Sequence, residues 1–298
     1  MSNHIELFDS ARKGDRRSLS KLLTAIESGK SISGLPNPNW TLGITGPPGV
    51  GKSTLIGRMI QHWSSSGEKV AILAVDPSSP ISGGSILADR LRMGEASLLD
   101  SVLIRSLATR NHPGGILPYL GQMCSILSEC GWTRVLIETV GSGQSEIGIV
   151  AFADRILLVD GPDRGDIVQS EKAGIMELAD IIAINKADLS NSKASFASVL
   201  EALSLGEDGP IPVHLVSAFD GTGVEGLIAE LEAFQPSKKK VGLRQLERLI
   251  ANWNSLLLTH PQIDSQIENL CDGSITIREA ITSMGTSMDF GGDVNDWQ

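Results

Sequence analysis

Seven short runs along the chain are nearly all apolar and rich in β-branched residues: WTLGIT (40–45), KVAILAV (69–75), SVLIRS (101–106), RVLIE (134–138), RILLVD (155–160), DIIAIN (180–185) and PVHLVS (212–217). Strict alternation of apolar and polar residues marks a strand with one wet face, so runs that lack it predict strands covered on both faces. Segments of helical length separate the runs, and that order predicts an α/β chain with a doubly wound, mostly parallel sheet. Such sheets bind ligands beyond the carboxyl ends of their strands. The glycine and polar clusters at 46–54, 76–94, 138–146, 160–166, 185–188 and 217–223 lie just after these runs, which directs the search for chemistry to that edge.

The flanks show a different period. Residues 5–28 predict one or two amphipathic helices whose stripe is Ile5, Phe8, Leu19, Leu22, Leu23 and Ile26, packed on the core. After QPSKKK, where Lys238 to Lys240 reads as a solvated linker, Leu243, Leu246, Leu249, Ile250, Trp253, Leu256 and Leu257 recur at helical spacing. A face this wide requires burial, on its own domain or in a homodimer. From Gly285 onward the sequence reads as a disordered tail. Three parts follow: a helical extension over 1–38, an α/β domain over 39–235, and a second helical extension over 236–298.

Composition narrows the classes. The 298 residues are 41% hydrophobic, enough for one large domain with appendages. A net charge of −10 argues against a nucleic-acid surface, which needs a basic face to neutralise phosphates. Cys124, Cys130 and Cys271 show no C-x-x-C spacing, and no stretch reads as a signal peptide or as a span of about twenty apolar residues. A reducing, cytoplasmic setting without membrane contact is the expectation.

The first run ends in ITGPPGVGKST (44–54), which meets the pattern G-x-x-x-x-G-K-[S/T] at Gly46, Gly51, Lys52 and Ser53 and precedes a helix-like run. Strand, loop and helix in that order form a phosphate cradle, with loop and helix N–H groups facing the anion, Lys52 reaching the β and γ phosphates and Ser53 offering its hydroxyl to Mg²⁺. A chance glycine-rich turn is the plain alternative. RVLIETVGSGQSE then puts Glu138 at a strand end and Gly141 three residues on, where a nucleotide-hydrolysing fold needs an acid for the Mg²⁺ shell and an N–H for the γ-phosphate. The plain alternative is a strand-end carboxylate facing solvent. NKAD supplies Asn185, Lys186 and Asp188 after the sixth run. Asp188 can accept from the guanine N1–H and exocyclic amine, a donor pair adenine lacks, so the ligand is GTP or GDP. Asn185 would brace neighbouring loops, and the Lys186 stem would cover the base. In VSAFDGTG, Ser217 and Ala218 fall where a last loop would meet the guanine O6. These motifs together predict a P-loop NTPase that uses GTP.

From about residue 10 to residue 235 the chain resembles the MeaB/MMAA-like GTPases, formerly called ArgK-type, which are G-protein chaperones of cobalamin-dependent acyl-CoA mutases, chiefly methylmalonyl-CoA mutase. The resemblance rests on ARKGDRRSLSKLLTAIES, GPPGVGKST, VDPSSPISGGSILADRLRM, ATRNHPGG, ETVGSGQSE, GDIVQSEKAGIMELADIIAINKAD and VSAFDGTG. It implies phosphate and Mg²⁺ binding by Gly46, Gly49, Val50, Gly51, Lys52, Ser53 and Thr54. It sets Asp76, Asp89 and Glu138 around the metal and the attacking water, and Asn185, Lys186 and Asp188 on guanine. Asp76 as a turn cap before Pro77, and Asp89 with Arg90 as a surface pair, are the bland readings. The resemblance also implies that residues 160–174 form a segment responding to nucleotide and partner, and that the C-terminal helices dimerise.

Departures from the family pattern bear on catalysis. Asn111 and Pro113 stand where Gly and Leu are usual, Ala88 where Gly precedes Asp89, and Ser142 where an apolar residue follows Gly141. Small signalling GTPases place a water-orienting glutamine at that last position, so slow intrinsic hydrolysis is expected, helped by Gln144 or by a group from a partner. Pro47 occupies the place of a lysine that crosses a dimer interface in nitrogenase iron proteins, and trans-lysine hydrolysis is not expected. Two other classes remain to be weighed, of which the first shares the fold. A metallochaperone GTPase of the nickel-insertion type would want clustered ligands, whereas His4, His62, His112, His214 and His260 are scattered. An ATP-dependent small-molecule kinase conflicts with NKAD and lacks an acceptor motif. A module that binds GTP without turnover, and partners such as isobutyryl-CoA or hydroxyisobutyryl-CoA mutase, remain compatible with the sequence.

Overall fold

A computed structural model describes residues 2–76, 99–108, 117, 119–139, 148, 150–162, 178–204, 211–258 and 260–287. Each expected strand is present: β1 (Thr41–Thr45), β2 (Val70–Asp76), β3 (Val102–Ala108), β4 (Arg134–Thr139), β5 (Arg155–Asp160), β6 (Ile181–Ile184) and β7 (Val213–Leu215). They form a single sheet in the order β3-β2-β4-β1-β5-β6-β7. Every pairing is parallel.

The strands lack apolar–polar alternation because successive residues feed two separate cores. Val70 and Ile72 of β2 join Leu136 of β4 in one cluster, while Ala71, Leu73 and Val75 join Val135 and Ile137 in the other. Side chains along a strand point to opposite faces in turn, so both sets must be apolar. On the first face lie α3 (Lys52–Ser65) and α6 (Val224–Ala233), contributing Leu55, Met59, Trp63, Leu227 and Leu231. On the second lie α1 (Ser2–Arg12), α2 (Arg16–Glu27) and α4 (Leu120–Glu129). Helix α5 (Ser192–Ser204) packs near β6 and β7 through Val199 and Phe196.

Strand β1 sits between β4 and β5. Strands β2, β3 and β4 fill one side of β1, and β5 to β7 fill the other. That reversal of winding is where α/β sheets open a crevice at their carboxyl ends. The glycine-rich loop leaves β1 at this point.

The N-terminal stripe is buried at Leu19, Leu22, Leu23 and Ile26 of α2, and half-buried at Phe8. Ile5 departs from expectation and is 60% exposed. Helix α1 faces the core through Leu7, Phe8 and Ala11 instead, a stripe shifted by less than a turn. Asp15 caps α2 by accepting the Arg17 N–H at 3.0 Å. Arg16 donates to the Val102 carbonyl at 2.6 Å, and Arg105 pairs with Glu27, so two long-range contacts fix this hairpin to edge strand β3.

The C-terminal extension holds α7 (Lys238–Leu258), α8 (Ile263–Cys271) and α9 (Ile277–Ser287). Lys238 to Lys240 form the first turn of α7 rather than a solvated linker, because Lys240 finds the Ala179 carbonyl and lies 3.7 Å from Asp180. Residues 285–287, expected in a disordered tail, belong to α9. Helix α7 docks by its arginines. Arg244 pairs with buried Asp180, and Arg248 donates to the carbonyls of Ala151 and Ala153 at 2.7 and 3.3 Å. Much of the expected apolar stripe faces outward, with Leu246, Leu249, Ile250 and Trp253 between 43% and 65% exposed. No described helix is long and apolar enough to cross a membrane.

Candidate nucleotide-binding site

The loop from Gly46 to Gly51 takes a path that needs glycine at both ends. Gly46 has φ 142°, and a Cβ there would stand 1.9 Å from the Val159 carbonyl oxygen; at Gly51, with φ 93°, it would meet the Asn185 amide at 2.5 Å. The loop can therefore lie against β5 and against the loop after β6. Helix α3 begins at Lys52, so its first-turn N–H groups, including those of Ser53 and Thr54, which a helix leaves without intrahelical acceptors, gather where the glycine loop ends. The Lys52 ammonium folds over the loop and donates to the carbonyls of Gly46 and, at 3.0 Å, Pro47.

Next to this cradle, Ser53 Oγ donates to Glu138 Oε1 at 2.7 Å. Glu138 stands in register with Ile44 of β1 and Ala74 of β2, between the two strands. It is only 3% exposed, which removes the reading of a carboxylate facing solvent. A hydroxyl and a carboxylate side by side are the hard oxygen donors that Mg²⁺ prefers, so these residues fit that ion. The backbone of Asp76 ends β2 one strand away. Asp89, Gly141 and Gln144 lie outside the described residues, as do most of the clusters at 76–94 and 138–146 and of the segment 160–174.

The third element is the pair of loops after β6 and β7. Asn185, 2% exposed, donates from its side-chain amide to the Val50 carbonyl at 2.8 Å and accepts the Ala218 N–H on Oδ1 at 3.0 Å. One side chain thus joins the glycine loop to both later loops. Ser217 Oγ donates to Asp188 Oδ1 at 2.8 Å, which fixes one oxygen of an otherwise exposed carboxylate. Lys186 has φ 64°, the left-handed region that side chains other than glycine seldom take. The Ala187 N–H, bonded to the Val216 carbonyl at 2.9 Å, holds that turn. The N–H of Ala218, in the loop expected to meet the guanine O6, is engaged by the Asn185 brace.

These parts, a glycine cradle opening a helix, a buried strand-end acid against its serine, and a braced N-K-x-D turn, agree with comparison to known proteins. The family profile described as methylmalonyl Co-A mutase-associated GTPase MeaB matches residues 3–268. The chain belongs to this family. A Pyrococcus abyssi protein described as "putative GTPase" is 41% identical over 211 residues, covering 68% of this chain and 65% of that protein. The mouse methylmalonic aciduria type A homolog, mitochondrial, is 34% identical over 244 residues, covering 76% of this chain and 59% of the relative. The match thus spans about two thirds of the length of these curated relatives or somewhat less. Among solved structures, an LAO/AO transport system kinase superposes with a TM-score of 0.62 at 20% identity over 96% of this chain and 98% of its own, a likeness of fold.

Among the described residues of this MeaB-family chain, the glycine loop, Glu138, the N-K-x-D turn and the Ser217–Ala218 loop meet at one end of the sheet, but one contact there has no motif. Arg58 of α3 donates from Nε to the Ala218 carbonyl at 2.9 Å and from its second terminal nitrogen to the Phe219 carbonyl. A single arginine in an amphipathic helix gives no signal of a partner 160 residues away.

Proposed function

We propose that this chain binds GTP with Mg²⁺ at the carboxyl edge of its sheet, hydrolyses the γ-phosphate, and serves as a guanine-nucleotide-gated chaperone of a cobalamin-dependent acyl-CoA mutase. The Asn185 bridge carries the nucleotide part of this reading, because it joins a phosphate loop to the two loops that carry Asp188 and Ser217. A phosphate loop alone would serve any nucleoside triphosphate; a carboxylate oriented by Ser217 selects a base with an N1–H and a neighbouring amine.

Catalysis in such a site is positioning and charge neutralisation. Lys52, first-turn N–H groups of α3 and the loop amides hold the β and γ phosphates. Ser53 and Glu138 would hold Mg²⁺, which would supply charge neutralisation to the phosphate oxygens. Asp188 orients the nucleoside, and Asn185 keeps the two halves of the site at a fixed separation. Asp89 and Gln144 are the proposed groups nearest the attacking water, and Ser142 in place of a glutamine makes unassisted turnover slow.

The mutase partner is taken from the family description, methylmalonyl Co-A mutase-associated GTPase, and it extends to this chain as a proposal. The proposal includes a homodimer. Leu246, Leu249, Ile250 and Trp253 recur at i, i+3, i+4 and i+7 and remain exposed, as a helix-pairing face would in one copy of the chain. The test of the function is GTP turnover with and without a purified cobalamin-dependent mutase, with ATP as control. Stimulation of GTP hydrolysis alone supports it; a GTP rate unaffected by methylmalonyl-CoA, isobutyryl-CoA or hydroxyisobutyryl-CoA mutase removes the partner, and ATP turnover equal to that of GTP removes the base assignment.

A further inference from the structure

The loop after β7 meets the rest of the fold through contacts that differ in kind. Its internal bonds, Ser217 N–H to Thr222 at 2.9 Å, Gly221 N–H to Ser217 at 2.8 Å and Thr222 N–H to Asp220 Oδ1 at 2.9 Å, shape the turn but do not fix where it lies. Phe219 adds no anchor, since its ring is 80% exposed. Ser217 Oγ ties the start of the loop to Asp188 at 2.8 Å, and the backbone beyond it is held at Ala218 and Phe219. Asn185 takes the Ala218 N–H, while Arg58 takes the carbonyls of Ala218 and Phe219 with the two arms of one guanidinium. A planar fork donating to adjacent carbonyls constrains the backbone in direction as well as distance, and a charged donor makes the stronger bond.

Arg58 lies six positions after Lys52 on the same helix, under two turns along it. The helix whose first turn faces the phosphates therefore also grips the loop that faces the base. We propose that Arg58 is a positioning residue for base recognition: it fixes the Ala218–Phe219 backbone relative to the phosphate cradle, so affinity for guanine nucleotides depends on it and affinity for the phosphate chain alone does not. This rests on the nucleotide-site reading above and adds to it a dependence that the P-loop and N-K-x-D motifs do not contain.

The test is calorimetric titration of the full chain with GDP and with inorganic tripolyphosphate, each with Mg²⁺. Tripolyphosphate has no base, and it reports whether the cradle and α3 are intact. Arg58→Ala is expected to weaken GDP binding at least about tenfold, the scale of a lost charged hydrogen bond, while tripolyphosphate affinity stays within about twofold. Arg58→Lys should fall between, because an ammonium can serve one carbonyl but cannot fork. Unchanged GDP affinity in Arg58→Ala overturns the proposal. So does an equal loss for both ligands, which would assign Arg58 to the folding of α3. Wild-type protein that takes up tripolyphosphate but shows no preference for GDP overturns the underlying base assignment, a result distinct from either.

Discussion

Asn185 spans the gap between the glycine loop and the loop after β7, with its amide 2.8 Å from the Val50 oxygen and its carbonyl oxygen 3.0 Å from the Ala218 nitrogen. Because both contacts are buried, removing the side chain leaves a C=O and an N–H without partners, at about 1–3 kcal/mol for each group. Asn185→Ala is expected to weaken GDP binding by about tenfold or more and to lower the thermal midpoint by several degrees. Asn185→Asp keeps the acceptor for Ala218 but replaces the donor to Val50, and it should give most of the same loss. Titration and melting of both variants check this.

Ser53 and Glu138, joined by a 2.7 Å hydrogen bond, are the proposed metal-holding groups. Ser53→Ala and Glu138→Gln should each raise the Mg²⁺ concentration needed for half-maximal GTP turnover by about tenfold, one ligand's share of the affinity. Magnesium titrations of steady-state turnover measure this, and chelation of Mg²⁺ should abolish turnover by the unaltered protein.

Arg244 answers a buried carboxylate. Burial pushes Asp180 above the usual carboxylate range, and the Arg244 charge acts the other way. Arg244→Met removes that charge and is expected to cost about 3–5 kcal/mol near pH 7.5. The sign with pH follows from the raised folded-state pKa. In the variant, the unfolded chain ionises Asp180 above about pH 4 while the folded chain keeps its proton to a higher pH, so stability is lost as pH rises through that window. Acidification towards pH 5 should therefore shrink the difference from the unaltered protein, as read by denaturant unfolding at several pH values. A deficit independent of pH would show that Asp180 is not the group left exposed to the change.

The outward stripe of α7 predicts self-association. Leu249, 65% exposed, is the most open member. Leu249→Asp should yield a monomer by sedimentation with its melting temperature little changed, since a surface substitution away from packed contacts shifts stability by about 0.5 kcal/mol or less. A dimer that survives the change places the interface elsewhere.

The sheet was legible because a strand buried on both faces has few polar residues, and β1, β5 and β6, buried at every position, carry that mark; the edge strands β3 and β7 are only partly covered, contrary to the expectation for them. The phosphate loop was legible because its backbone path tolerates few residues, as at Gly46 and Gly51, and the N-K-x-D turn because its side chains suit the edge of guanine. Arg58 was not, because its meaning lies in carbonyls that only the folded chain brings near. The left-handed Lys186 was not either, since lysine carries no preference for that region. Ile5 and the α7 stripe show a different limit: helical period reveals that a face is apolar but not which turn of it meets the core.

Asp188→Asn tests the guanine site most directly. The carboxylate, held by Ser217 at 2.8 Å, would accept two hydrogen bonds from guanine; an asparagine accepts only one and turns an amide N–H toward the guanine amine. Xanthine carries a carbonyl oxygen in place of that amine and suits the asparagine. Titration of the variant with GDP and xanthosine diphosphate should show GDP affinity reduced by about a hundredfold or more and xanthosine diphosphate bound more tightly than by the unaltered protein. GDP bound equally well by both proteins would contradict the assignment of Asp188 and, with it, the reading of this chain as a guanine-nucleotide switch.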